Sequence, residues 1–132
     1  MANIVHLSEA ASIGLHALII IAKGEGMVNV QHIAEVTGSS KHHVAKVMQR
    51  LTKEKMVISS RGPNGGFLLN RRPNEISLLE IFEAIEGKMD IPTCPADHQI
   101  CPFEKCLLDN VTQRMTVQFK EYIQNQTIED YL

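Results

Sequence analysis

From Ser8 onward the apolar residues recur at helical spacing, and the pattern divides the chain into a series of short helices. Ser8 suits an N-cap for a helix running to about Lys23, with Glu9 in the first turn, where the helix dipole favours an acid. The second half of this segment is apolar on nearly every side, which predicts burial all round. Gly24-Glu25-Gly26 ends it. A second helix is expected over about Val30 to Thr37, on Val30, Ile33, Ala34 and Thr37. Gly38 can then take the positive φ of a tight turn, and Ser39 or Ser40 can cap the next helix.

The third helix is expected from about Lys41 to Lys55. Val44, Val47, Met48 and Leu51 form its inward stripe, while Lys41, His42, Ala45, Lys46, Gln49 and Lys53 fall largely away from it. Two short helices joined by a glycine turn, the second basic on its outer side, match a helix-turn-helix. Val57-Ile58-Ser59-Ser60 reads as a strand, Gly62-Pro63-Asn64-Gly65-Gly66 as a turn and Phe67-Leu68-Leu69 as the returning strand. A hairpin directly after a recognition helix is a wing. Its glycines let backbone approach a groove wall, and Arg61 at its base can enter a minor groove or hold phosphate.

Arg71-Arg72-Pro73 closes the wing, and a helix beginning near Ser77 carries Leu78, Leu79, Ile81, Phe82 and Ile85 as far as Gly87. The stretch from Lys88 to Phe103, with Pro92, Pro95 and Pro102, reads as a loop. A long final helix is expected over about Glu104 to Gln124. Leu108, Val111, Met115, Phe119 and Tyr122 give it a seam suited either to intramolecular core or, with so few elements left to cover it, to dimerisation. The expected fold is mainly α with a small β-hairpin wing: a winged helix-turn-helix over residues 1–73, then a sensor loop and long C-terminal dimerisation helix over 74–132.

Charge sharpens the division. The whole chain carries −2, but Lys23 to Arg72 holds nine Lys/Arg against three Glu, a net of +6. Pro73 to Leu132 holds four Lys/Arg against eleven acids, a net of −7. A polyanion-binding face joined to a half that does other work fits this asymmetry, as would two solvated surfaces of opposite sign. Met1 to Ala22 has no Lys or Arg, so the basic start of a secretory signal is missing. The run Leu15–Ala22 is interrupted by His16 and is far shorter than the ~20 residues of a membrane span. A soluble cytoplasmic protein is expected.

All three cysteines, Cys94, Cys101 and Cys106, fall in the loop and the expected start of the last helix, spaced C-x6-C-x4-C. An odd number without an export signal argues against a disulfide framework. Buried inert thiols are the ordinary alternative, but the polar, proline-rich surroundings offer no apolar face for three of them. Thiolates at such spacing can hold a metal or cluster, or act as redox-active thiols. Zinc with three cysteines and a histidine usually has a short C-x2–4-C element, whereas an iron–sulfur cluster tolerates longer gaps, which tilts the reading towards the cluster. One coordination position is left open. Asp97, His98 and Asp109 are nearby candidates, and Glu9, Ser12 or His16 could come from the first helix of a partner.

Taken together, the wing Arg61-Gly62-Pro63-Asn64-Gly65-Gly66-Phe67-Leu68-Leu69, the stretch Ile76-Ser77-Leu78-Leu79-Glu80-Ile81 and the three-cysteine loop resemble the bacterial winged-helix regulator family that includes IscR, NsrR and CymR. The resemblance covers nearly the whole chain. It implies a homodimer on a palindromic double-stranded DNA operator, with the recognition helix in the major groove, the wing in the minor groove and a long helix crossing between subunits. Carried over by position, Ser40, Lys41, His42, His43, Ala45 and Lys46 would face DNA, with Arg61 and Gly62 at the wing. Cys94, Cys101 and Cys106 would hold a 2Fe-2S or 4Fe-4S iron–sulfur cluster. Family members commonly show gaps of x5 and x5; the fourth-ligand histidine of IscR aligns with Asp109, and the partner-borne acid of other members falls near Ser12 and Glu9.

Two other readings keep most of these features. The cysteines would act as a metal-free thiol switch in the first, and the winged helix would bind a protein in the second. An enzyme is not expected: no nucleophile–base–orienter set is visible, and Gly62–Gly66 lacks the Lys-Ser/Thr of a phosphate loop.

Overall fold

The computed structural model describes residues 2–91, 94 and 100–132. Helix α1 (Glu9–Lys23) is capped by Ser8, whose side chain accepts the N–H of Ala11. Helix α2 (Val30–Thr37) is capped by Asn29 and ends at Gly38, where φ is +71°. Ser40 caps helix α3 (Lys41–Lys53), which stops two residues short of the expected end because Lys55 turns to a left-handed φ of 61°. Strands β1 (Val57–Ser60) and β2 (Gly66–Leu69) pair antiparallel, Val57 opposite Leu69 and Ser60 opposite Gly66. Helix α4 (Leu78–Glu86), capped by Ser77, and helix α5 (Val111–Gln124) complete the set, with short 3-10 turns at Pro73–Glu75 and Ile128–Tyr131. The architecture is thus mainly α with one two-stranded hairpin, as expected.

Two small additions hold the wing and the C-terminus. Val28, between α1 and α2, exchanges both backbone hydrogen bonds with Phe67, so the hairpin is stitched to the helical body by a third extended segment. Gly66 makes this possible: a side chain there would meet the Val28 carbonyl at 2.6 Å, and its φ is +153°. At the other end, Ile128 N–H donates to Ile76 O and Leu78 N–H to Gln126 O, pinning the last residues to the start of α4. Ile128 is wholly buried with Ile76 and Ile81 in the same core as Ile13, Leu18, Ile33, Met48 and Leu51.

Two expectations need correction. The final helix begins at Val111, not near Glu104. Asp109 and Asn110 both adopt positive φ (51° and 55°), and two successive left-handed residues cannot continue a right-handed helix. Along the helix that remains, Val111, Met115, Phe119 and Tyr122 are part-exposed and Ile123 is buried, so the seam is not closed over within the chain. Helix α1 is not buried all round: Leu15, Ile19, Ile20 and Ala22 are half-buried and His16 exposed, because one side of its second half borders open clefts.

Since Ile128 fills the core from the tail that follows α5, Ile128→Ala should destabilise the fold by about 2–5 kcal/mol in urea unfolding. Leu132→Ala, at an exposed site, should leave the midpoint within error.

Candidate nucleic-acid interface and cysteine segment

The N-terminal half of α3 is held from two sides. Ser40 caps it through the N–H of His43, and Glu9 of α1 lies 3.5 Å from His43 Nδ1. Lys41 Nζ donates to Gln31 Oε1 of α2 at 3.3 Å. The burial of Val44, Val47, Met48 and Leu51 turns the opposite side outward, so Lys41, His42, Lys46, Gln49 and Lys53 are exposed while His43 and Ala45 are half-buried. The wing turn is closed by Gly65 N–H donating to Gly62 O, and a side chain at Gly65 would collide with the Ser60 carbonyl at 2.2 Å. Gly62 sits at φ +106°, which leaves the exposed Arg61 beside a turn of bare backbone.

Helix α3 and the wing enclose a groove of about 530 Å³, bordered by Gln49 and Thr52 on one wall, Arg61 and Gly62 on the other, and Asn29 at its head. Of the residues singled out in the sequence, Arg61 and Gly62 line this groove; Ser40, Lys41, His42 and Lys46 stand on the exposed surface of α3 outside it. Asn29 and Thr52 were not anticipated. Asn29 was legible as an N-cap by residue type, whereas Thr52 enters only because the hairpin folds back beside the last turn of α3.

Cys94, Cys101 and Cys106 are all free and half-buried. Backbone N–H groups of Asn110 and then Leu108 donate towards Cys106 and hold its thiol below the ordinary cysteine range, with slight desolvation and the Asp109 carboxylate opposing them. The left-handed turn that shortens α5 carries the Asn110 amide, the first of these contacts. Asp109 is exposed; Asp97 and His98 lie outside the described residues. Glu9, Ser12 and His16 border a separate cleft of about 1010 Å³ along α1, shared with Thr37, Gly38 and Ser39. Among the described residues no three His, Cys, Asp or Glu side chains gather as metal ligands, and no helix is long and apolar enough to cross a membrane.

A helix-turn-helix whose second helix shares a groove with a glycine-rich hairpin defines a winged-helix protein. The chain matches the family described as "Rrf2: Iron-dependent Transcriptional regulator" over residues 7–132 and belongs to it. It is 27% identical over 110 residues to the HTH-type transcriptional regulator IscR of Sodalis glossinidius, covering 83% of this chain and 67% of that protein. It is 29% identical over 109 residues to the transcriptional regulator NsrR of Oceanobacillus iheyensis, covering 80% and 74%. Among solved structures, CymR, the global cysteine regulator of B. subtilis, superposes with a TM-score of 0.76 at 27% identity, covering 96% of this chain and 95% of that one. The chain spans about two thirds of the length of the IscR relatives it matches. These relatives are transcriptional regulators rather than enzymes.

The lowered Cys106 thiol has a direct consequence. In metal-free protein its alkylation by iodoacetamide, followed against pH by mass spectrometry, should show a lower midpoint than in the urea-unfolded chain. By linkage, the same contacts favour the folded chain above the thiol's unfolded pKa and cease to do so as pH falls through its folded one. Equal midpoints would show that the amide contacts do not form in solution.

Proposed function

We propose that this chain is a homodimeric, sequence-specific DNA-binding regulator of transcription, with an iron–sulfur cluster on Cys94, Cys101 and Cys106 setting its operator affinity. The observation that carries the DNA half is the groove between α3 and the wing, with Arg61 on its wall and Lys41, Lys46 and Lys53 exposed on the helix beside it. Cations so placed can engage the phosphates flanking a major groove, while the outer side of α3 reads base edges. Ser40, His42, His43 and Ala45 belong to that contact on this reading, and Gly62 lets the wing backbone approach the minor groove. The exposed seam of α5 supports pairing with a second copy, which would present two recognition helices to a palindromic operator. Residues 1–73 then read DNA and 74–132 sense and dimerise, in the cytoplasm, where thiols stay reduced.

The donor chemistry of the cysteine segment suits a thiolate-bound group: three free thiols, one of them already favoured as thiolate by backbone amides. When bound, an iron–sulfur cluster of either the 2Fe-2S or the 4Fe-4S type supplies a centre sensitive to iron, redox state or nitric oxide. Asp109 in the same chain, or Glu9, Ser12 or His16 of a second copy, would complete its ligands. The same lowered Cys106 thiol also supports a second reading, a metal-free thiol switch.

Lys46→Ala and Arg61→Ala should each weaken operator binding at every sequence and flatten the log–log salt slope by about one unit. Unchanged affinity in both variants would reject the DNA contacts, and failure to enrich any genomic DNA would turn the winged helix into a protein-binding module. Anaerobic purification should yield coloured protein with iron and sulfide, both lost on Cys101→Ala. A colourless protein whose DNA binding still follows thiol oxidation would establish the thiol switch instead.

A further inference from the structure

The last turn of α4 is where the segment bearing the cysteines leaves the helical body, and several polar ties converge on it. Gly87 ends the helix at φ +92°, its N–H donating to Glu83 O. Two residues later Met89 N–H donates to Glu83 Oε2 at 2.7 Å, and Met89 O accepts from Lys120 of α5 at 3.4 Å. The Met89 side chain packs against the core, so Met89 is a firm anchor five positions before Cys94. On the opposite side of the same turn, Arg50 of α3 donates from Nε to the carbonyl of Ala84 at 2.9 Å. Glu86 accepts from the Oγ of Ser8, the cap of α1, and the next residue, Glu9, meets His43 near the start of α3. Arg50 thus ties the last turn of α3 directly to the turn from which the cysteine segment departs, and the start of α3 reaches that turn only by way of Ser8 and Glu9.

The physics of a helix end explains why Arg50 suits this place. The last four carbonyls of a helix lack intrahelical partners, and the dipole there favours a cation. Ala84 O is one of those carbonyls. Arg50 lies one helical turn beyond Lys46, and a hydrogen-bonded helix moves as a rod, so a displacement of the α4 end reaches the outer side of α3.

We propose that the last turn of α4 is the relay between the cysteine segment and the recognition helix, with Arg50 as its positioning residue. The inference rests on the proposed function, in which the cysteine segment governs DNA binding. Movement at Met89 changes the hold of Glu83, shifts the Ala84 carbonyl and so re-aims α3 through Arg50. Arg50 is not needed to contact DNA for this role.

The test has two arms on the full chain. In the first, hydrogen exchange of the α3 amides is followed in cluster-free protein carrying Glu83→Ala, Arg50→Gln or both. Glu83→Ala should speed exchange in the last turn of α3 by at least about twofold, the lower end of coupling between neighbouring residues. The double variant should be no faster than the faster single one; a null effect of Glu83→Ala, or fully additive effects, overturns the relay. In the second arm, operator affinity is compared between cluster-loaded and cluster-free protein. The wild-type ratio, of the order of 5- to 150-fold for ordinary allosteric coupling, should fall to within about threefold of unity in Arg50→Gln at an unchanged salt slope. If the variant instead weakens both forms equally and flattens the slope by about one unit, Arg50 is a phosphate contact and the proposal is wrong. A wild-type ratio of one would sink the cluster-sensing function, while the exchange arm still decides the relay. Should Arg50→Gln fail to fold, Glu83→Ala takes its place in the affinity comparison.

Discussion

Helix α1 passes so close to α4 at Gly14 that a methyl group built there would stand 2.1 Å from Cδ1 of Ile85. Much else depends on that approach. α1 packs on α2, α3 and β2 as well as on α4 and the C-terminal 3-10 turn, so one helix forms the shared wall of the winged-helix half and the C-terminal half. A side chain at position 14 would oblige the Ile85 Cδ1 methyl to turn aside, while Ile85 Cγ1 and Ile81 Cγ2 stand at ordinary contact distances of 3.5 and 3.6 Å. A pair of halves with opposite charge is in this way bound into one hydrophobic core rather than strung on a linker.

Most of the helical body was legible because short-range rules govern it. Ser8, Ser40 and Ser77 cap the helices they precede, Gly38 takes the positive φ its turn requires, and the stripe of α3 is buried residue for residue. What escaped depends on partners distant in the chain. Nothing local marks Val28 as a third extended segment; it becomes one because Phe67 arrives opposite it. Ile128 stands between polar neighbours in the tail and gains its burial where the segment pairs with the backbone of Ile76. The start of α5 was misplaced because periodicity counts apolar residues and is blind to φ. Asp109 and Asn110 are among the residue types that tolerate the left-handed region, and that tolerance overrides the pattern.

The candidate site divides in the same way. The cations of α3 could be assigned from periodicity, since a helix that buries Val44, Val47, Met48 and Leu51 has no choice about where Lys46 goes. The groove is tertiary: it exists because the hairpin folds back, and nothing in Thr52 itself marks it as part of a wall. The ring of His43, half-buried, lies beside Glu9 of α1, a neighbour that no local pattern announces. For the cysteines, sequence offered number and spacing. The environment that makes Cys106 a better thiolate comes from the backbone turn after it, and turn geometry of that kind leaves only a faint mark on residue type.

The end of α4 is also electrostatically awkward, and that bears on how it works. Glu83 and Glu86 lie in its last turn, where the helix dipole opposes negative charge, and no basic residue of α4 shares that turn. Each awkward group is answered from another element: Glu83 by the N–H of Met89, Glu86 by Ser8, and the Ala84 carbonyl by Arg50. An end stabilised by its own sequence would stay put whatever its neighbours did. One held by three elements keeps its geometry only while all three hold theirs, so a change in any of them is felt by the other two. That dependence is the physical requirement for two distant segments to be linked at all.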